Sequence, residues 1–388
     1  MRLSRRADFG IRIACALGLV LALFVARWDV FDVDRFDFRV WSTADVLLEE
    51  GQNPYDSDVL NQSLLARFPA EPGEFVNPLH LFNPPTWITQ VRAMGTSAFI
   101  MSLIGGLALF GSIVMLAKDQ AFERTIGYLL SASYFLFLTP SMSTFRFGQT
   151  GFFLAGLVGL RLLLIGTRFG GAPIALMSFK PHLAVASALV ELPSRRRWRL
   201  IISTALTFCV LLSVQLAQDG LKPWLWWIDS LGESRSFGSL TDMSIRTLSQ
   251  HVDVHPVAGI PSLLVALAIA TVLTIRWSSG DQRILTLMSL ALMAYLSGHA
   301  FSHDWLWLTL VPVVCRWSVP RTATIAIVYG TVHTYFNSMT VLDTDVGPKS
   351  LLALAACIYL VDAARRSAAS TSEPLPEASA HAVGQPSL

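Results

Sequence analysis

Charged side chains are scarce in this chain. Only 14% of its 388 residues are Asp, Glu, Lys or Arg, against roughly 25% in ordinary globular proteins. With 53% hydrophobic residues beside that shortage, a soluble domain is excluded and a polytopic membrane protein is expected. Cysteine is sparse too. Cys15, Cys209, Cys315 and Cys357 all fall inside apolar runs, which argues against a disulfide framework and a cysteine metal site. No Walker loop, dinucleotide-binding glycine pattern or internal repeat is present,. The first apolar run ends in Arg27-Trp28-Asp29 without a small-residue cleavage site, so it reads as a retained span. A net charge of +2 says little by itself, and no nucleic-acid partner is expected.

What the chain does have is a series of apolar runs with basic residues at alternate ends. Basic residues stay on the cytoplasmic side of a membrane. Arg2, Arg5 and Arg6 therefore place the N-terminus inside, and the span at about 11–26 leads residues 27–92 outside,. That loop is acid-rich, with Asp29, Asp32, Asp34, Asp37, Asp45, Glu49, Glu50, Asp56, Asp58, Glu71 and Glu74. Leu47-Leu48, Leu60, Leu64-Leu65 and Phe82-Asn83-Pro84-Pro85 predict short, packed helices within it,. Further spans are expected at about 93–117, 125–139, 151–166, 199–217, 258–275, 284–297, 305–315, 322–337 and 350–362,.

Residues 170–192 break the series. One crossing would put Arg195, Arg196, Arg197 and Arg199 outside, and Lys180-Pro181 interrupts the run,. Two half-helices with Lys180-Pro181 at an outward turn restore the Arg cluster to the inside. The expectation is an all-α integral membrane bundle of about ten spans plus this re-entrant pair,. It forms one transmembrane domain over 1–366, with outer loops at 27–92 and 218–257, both termini cytoplasmic and a disordered tail at 367–388,. Trp224, Trp226 and Trp227 in the second loop suit the membrane interface,.

Among reactions open to such a chain, transfer of a group from a phosphate to a hydroxyl needs a base for that hydroxyl and cations for the leaving phosphate. Asp37, between Phe36 and Phe38 just after the first span, is the favoured base. A solvated carboxylate or a helix cap is the plainer alternative. Arg35 and Arg39 flank it, to pair with it or to hold phosphate. Lys180 is the leading phosphate ligand, because an intramembrane lysine is a functional hypothesis by default; its alternative is snorkelling to the interface. His299, His303 and Asp304 sit at an outer span end. Two histidines four apart share a helix face and could ligate zinc given a third ligand. Hydrogen bonding to phosphate or hydroxyl is the better reading, and a polar interface pair the plain one. Gly148-Gln149 opens a span from outside, with Arg146 beside it as a possible phosphate ligand,. Arg235, Asp242, Ser244, Arg246, His251 and His255 are candidates for acceptor contacts.

The ordered set Asp37-Phe38-Arg39-Val40-Trp41, Gly51-Gln52-Asn53-Pro54-Tyr55-Asp56 and Phe82-Asn83-Pro84-Pro85 resembles the first outer loop of glycosyltransferase family 87. These are polyprenol-phosphate-mannose-dependent enzymes of the GT-C superfamily. The resemblance continues through Phe147-Gly148-Gln149, Lys180-Pro181, Arg195–Trp198, Met243–Leu248 and Ser297–Pro312, spanning about residues 11–363. It implies inverting transfer of mannose from polyprenyl phosphate to a glycan or glycolipid hydroxyl on the extracytoplasmic face. It implies Asp37 as base, with Lys180 and His303 at matching motif positions around the donor phosphate; the residues themselves add Arg146 and Arg39 there. Tyr55, Gln149, His299, Asp304, Ser244 and Arg246 would contact substrate. No metal or other cofactor is expected, because the leaving group is a lipid monophosphate. The chain departs from the family at Trp41, Asn83, Gly151, Gly298, Phe301 and Asp304, where Tyr, Tyr, Asn, Pro, Trp and His are usual. A transporter or flippase for a lipid-linked saccharide, or an inert assembly subunit with the same fold, are the rival readings.

Overall fold

A computed structural model describes residues 5–26, 36–69, 83–95, 97–138, 150–230, 260–296, 302–340 and 347–372. Among them the regular structure is entirely helical. Among the described residues, three helices are long and apolar enough to cross a membrane: Arg6–Val25, Ala98–Leu116 and Arg197–Asp219. Shorter apolar helices cover Gly151–Leu164, Leu263–Arg276, Gln282–Leu296 and Asp304–Val314.

The centre of the bundle is the crossing of α5 (Ala98–Leu116) with α7 (Gly151–Leu164). Ser97 caps α5 by accepting from the Ile100 N–H. Small residues let the two backbones touch. A Cβ on Gly105 would run into the backbone of Phe152 and Phe153, and one on Gly159 would stand 2.6 Å from Ser112 Oγ. Small residues spaced along two apolar helices are the usual means of close approach in a membrane, where lipid is as apolar as leucine. Gly105→Ala should push the helices apart and cost about 1–3 kcal/mol, read as a lowered unfolding temperature in detergent. An unchanged temperature would mean that the crossing yields freely.

α1 (Arg5–Val25) packs on α5 and on α6 (Phe122–Leu138). Arg12 pins it, bonding Asp8 at 2.7 Å, Thr125 Oγ1 at 2.6 Å and the Gln120 carbonyl at 3.1 Å. Three short helices, α2 (Phe36–Glu49), α3 (Ser57–Arg67) and α4 (Pro85–Ala93), form a lobe with its own core of Val40, Ala44, Leu47, Tyr55, Leu60 and Ile88. Asp56 caps α3, accepting from the Asp58 and Val59 N–H groups. The span expected at about 93–117 is present as α5, with Gly95, at φ 72°, separating it from α4,.

The break at Lys180 is present. α8 (Ala172–Leu176) runs into a 3-10 turn at Met177–Phe179, and α9 (Pro181–Ala188) restarts with Pro181 in its first turn,. Arg161 of α7, wholly buried, anchors this pair. It bonds the carbonyls of Ser187 and Gly170 and lies 2.5 Å from Glu191, which in turn accepts from the Gly166 N–H.

α10 (Arg197–Asp219) packs on α8 and α4 and stops at Gly220, φ 71°. α11 (Lys222–Ser230) brings Trp226 and Trp227 against the lobe. α12 (Ile260–Arg276) and α13 (Gln282–Leu296) follow, α13 packing on α9. The stretch expected as a span at about 305–315 is a nine-residue 3-10 helix, Ser302–Leu310, continued by α14 (Val311–Val314). α15 (Val319–Thr340) lies on α6, and α16 (Gly347–Ser372) on α13. α16 runs past the expected end of the domain at 366, with the Ser367 hydroxyl accepting from the Asp281 N–H at 2.7 Å.

Candidate active site

Lys180 caps α9 at the break, and its side chain is 16% exposed. Its ammonium stands 2.9 Å from both carboxylate oxygens of Asp304, on the first turn of the 3-10 helix Ser302–Leu310. Asp304 is fully buried. An ammonium has three N–H donors, so Asp304 leaves it capacity for a further acceptor. Buried polar atoms without a hydrogen-bond partner among the described residues flank the pair in sequence: Ser178 Oγ and Trp305 Nε1. Such atoms mark where water or a polar ligand completes the bonding.

The lobe joins this centre through Asn83. With its amide oriented to satisfy both neighbours, Asn83 accepts from Trp41 Nε1 at 3.0 Å and donates to the Phe179 carbonyl at 3.3 Å. Its own carbonyl accepts from the Tyr55 hydroxyl at 2.9 Å. One residue thereby ties α2, the Tyr55 turn and the residue just before Lys180. Aromatic rings run alongside. Phe38 meets Trp41 at 6.0 Å, Trp41 meets Trp87 at 6.0 Å, and Trp87 stacks on Phe179 at 4.0 Å. Arg92 clamps the far side, with Asp45 at 2.6 Å and Asp219 at 3.2 Å. Burial holds the Asp45 carboxyl above its ordinary range despite that partner,. Burial, then the charge of Asp219, pushes the Tyr55 phenol well above its usual value.

The expected residues distribute as follows. Lys180, expected as a phosphate ligand, and Asp304, expected as a substrate contact, are in direct contact. Asp37 is the second residue of α2, a helical position rather than part of a loop; its side chain lies outside the described residues. His303 is the second residue of the 3-10 helix, next to Asp304, and its side chain also lies outside them. Arg39 places its guanidinium 5.0 Å over the Phe68 ring. Tyr55 is buried and its hydroxyl holds the Asn83 carbonyl, so it braces the turn. Arg146, Gln149, Ser244, Arg246 and His299 lie outside the described residues. His182, partly buried in the first turn of α9, shares that turn with Lys180. It sits only two residues on in the sequence, and that adjacency was its one visible signal.

The fold and this centre define a helical membrane protein with a polar site where an accessory helical lobe meets two broken membrane segments. The sequence model of glycosyltransferase family 87 matches residues 78–302, more than half of the chain, and the chain belongs to that family. No curated protein and no solved structure matches it.

Proposed function

We propose that this glycosyltransferase moves a sugar, mannose on the family resemblance, from a polyprenyl phosphate to a glycan or glycolipid hydroxyl on the extracytoplasmic face, with inversion. The acceptor oxygen attacks the anomeric carbon as the bond from that carbon to the phosphate oxygen breaks. Asp37 takes the hydroxyl proton. The departing phosphate, one charge more negative, is held by Lys180 and His303, with Arg146 and Arg39 as further cations. The single observation that carries this reading is the Lys180–Asp304 contact. It brings the middle of the chain to its last third at one polar point, with Asn83 linking the acidic first loop to the same point. Val185, five residues on from Lys180 in α9 and 45% exposed, offers an apolar contact for the prenyl chain.

The test is transfer from radiolabelled polyprenyl-phosphate-mannose in membranes containing the protein. Label should enter a glycan or glycolipid, and Lys180→Ala should lower the rate on the order of 10²-fold. One observation favours a second reading. Two broken membrane segments meeting through a buried ion pair also suit a transporter of lipid-linked saccharide. Counterflow of the lipid-linked sugar in proteoliposomes, with no glycosidic bond made, would replace the first reading by the second.

A further inference from the structure

Beyond Asp304, where the 3-10 helix runs on through Leu308, α15 and α16 splay apart. α15 packs on α6 and α16 on α13, and the two touch each other only briefly. The cleft between them is a cavity of about 260 Å³. Phe135 of α6, Leu308, Pro312, Ile325, Ala326 and Leu352 line it, and its walls are almost wholly carbon. Ile325 at one edge is 38% exposed, so the cleft opens sideways toward the bilayer. The polar atoms at one end are satisfied internally. Trp317 Nε1 donates to the Tyr359 hydroxyl at 2.5 Å, and the Tyr128 hydroxyl donates to the Trp317 carbonyl at 2.7 Å. Nothing there asks for water.

That same end carries positive charge. The Arg321 guanidinium lies 4.7 Å over the ring of Trp317 and 5.3 Å over that of Tyr359, both of which line the cavity. Arg316 precedes Trp317 and takes a left-handed backbone, φ 52°, rare for a side chain of that size,. Arg124 lies one turn from Tyr128 on α6. All three arginines are exposed. None forms an ion pair within 4.0 Å among the described residues, Asp119 before α6 and Glu123 in its first turn included.

We infer that this cleft holds an anionic phospholipid, one acyl chain in the cavity and its phosphate against Arg316 and Arg321. A carbon-lined cleft open to the bilayer takes a chain. A cluster of unpaired guanidiniums at its mouth selects the head group, as basic pockets between membrane helices do. The donor's prenyl chain would enter from the Asp304 end and would leave the arginines without a partner, so charge complementarity assigns the cleft to phospholipid. The inference needs the bilayer but not the sugar-transfer reading.

The experiment is native mass spectrometry of the full chain, delipidated and then titrated with phosphatidylglycerol, phosphatidylcholine or a polyprenyl phosphate. The wild type should retain one phosphatidylglycerol, preferred over phosphatidylcholine on the order of tenfold. Arg316→Gln with Arg321→Gln should bring that ratio close to one. Arg124→Gln with Arg316→Gln, which keeps the Arg321 stack, should lower it part-way. Ala326→Phe should weaken retention of both phospholipids by filling the cavity. Equal retention of the two phospholipids by the wild type, or an unchanged ratio in both arginine variants, would overturn the inference. So would exclusive retention of polyprenyl phosphate at the Ala326 site. The readout is bound mass, so its failure is separate from any failure of sugar transfer.

Discussion

Asp37→Asn should reduce sugar transfer by 10²–10⁴-fold, the range that a positioned general base supplies, while retention of the lipid-linked donor stays near wild type. The substitution keeps shape and removes the proton acceptor. Asp37 sits in the first turn of α2, where a carboxylate also favours the helix dipole, worth about 0.3–1 kcal/mol. A purely structural role would therefore cost a small shift in unfolding temperature and leave turnover within about tenfold. The chemical role costs far more turnover at the same small shift. Measuring both on Asp37→Asn and Asp37→Ala separates the two. Near-normal turnover in both variants would remove Asp37 as the base.

Arg161→Ala should be the most destabilising single change in the bundle. Arg161 is fully buried, 2.5 Å from Glu191, and its guanidinium also bonds the carbonyls of Ser187 and Gly170. Truncation leaves Glu191 as a buried charge held by the Gly166 N–H. Breaking a buried pair in this way costs about 3–5 kcal/mol. Replacing both partners with apolar residues, Arg161→Met with Glu191→Leu, should recover most of that loss, because both desolvation penalties vanish together. Thermal unfolding in detergent is the measure. If the double variant is no better than Arg161→Ala, the guanidinium matters for its carbonyl bonds rather than for its charge pair. Because the pair fixes the end of the α8–α9 segment, Arg161→Ala should also lower the transfer rate on the role proposed for Lys180.

Much of the architecture was legible in the sequence. Apolar runs bounded by Arg and Lys mark helices because a membrane segment must satisfy its own backbone, and most expected spans fall within a few residues of the observed helices. The break at Lys180-Pro181 was legible for a different reason: proline cannot continue a helix and lysine is costly among lipids. The 3-10 character of Ser302–Leu310 was not legible. Its composition, rich in Trp and Leu, suits an α-helix equally, and packing decides between the two. Nor was the contact between Lys180 and Asp304, which crosses 124 residues of chain. Asn83 stood in the sequence as part of a Pro-rich motif and as a departure from the family. Its role as the link between Trp41 and Phe179 depends on three segments meeting, and a single sequence does not show a meeting.

Nine residues is long for a 3-10 helix, whose runs rarely exceed three or four. Each residue in that form advances about 2.0 Å, against about 1.5 Å in an α-helix. Rewinding the segment would shorten it by about 4–5 Å and rotate Asp304 around the axis. The acid grips the lysine only while this piece of backbone stays drawn out, so the ion pair reports the winding of a spring as much as an attraction between charges.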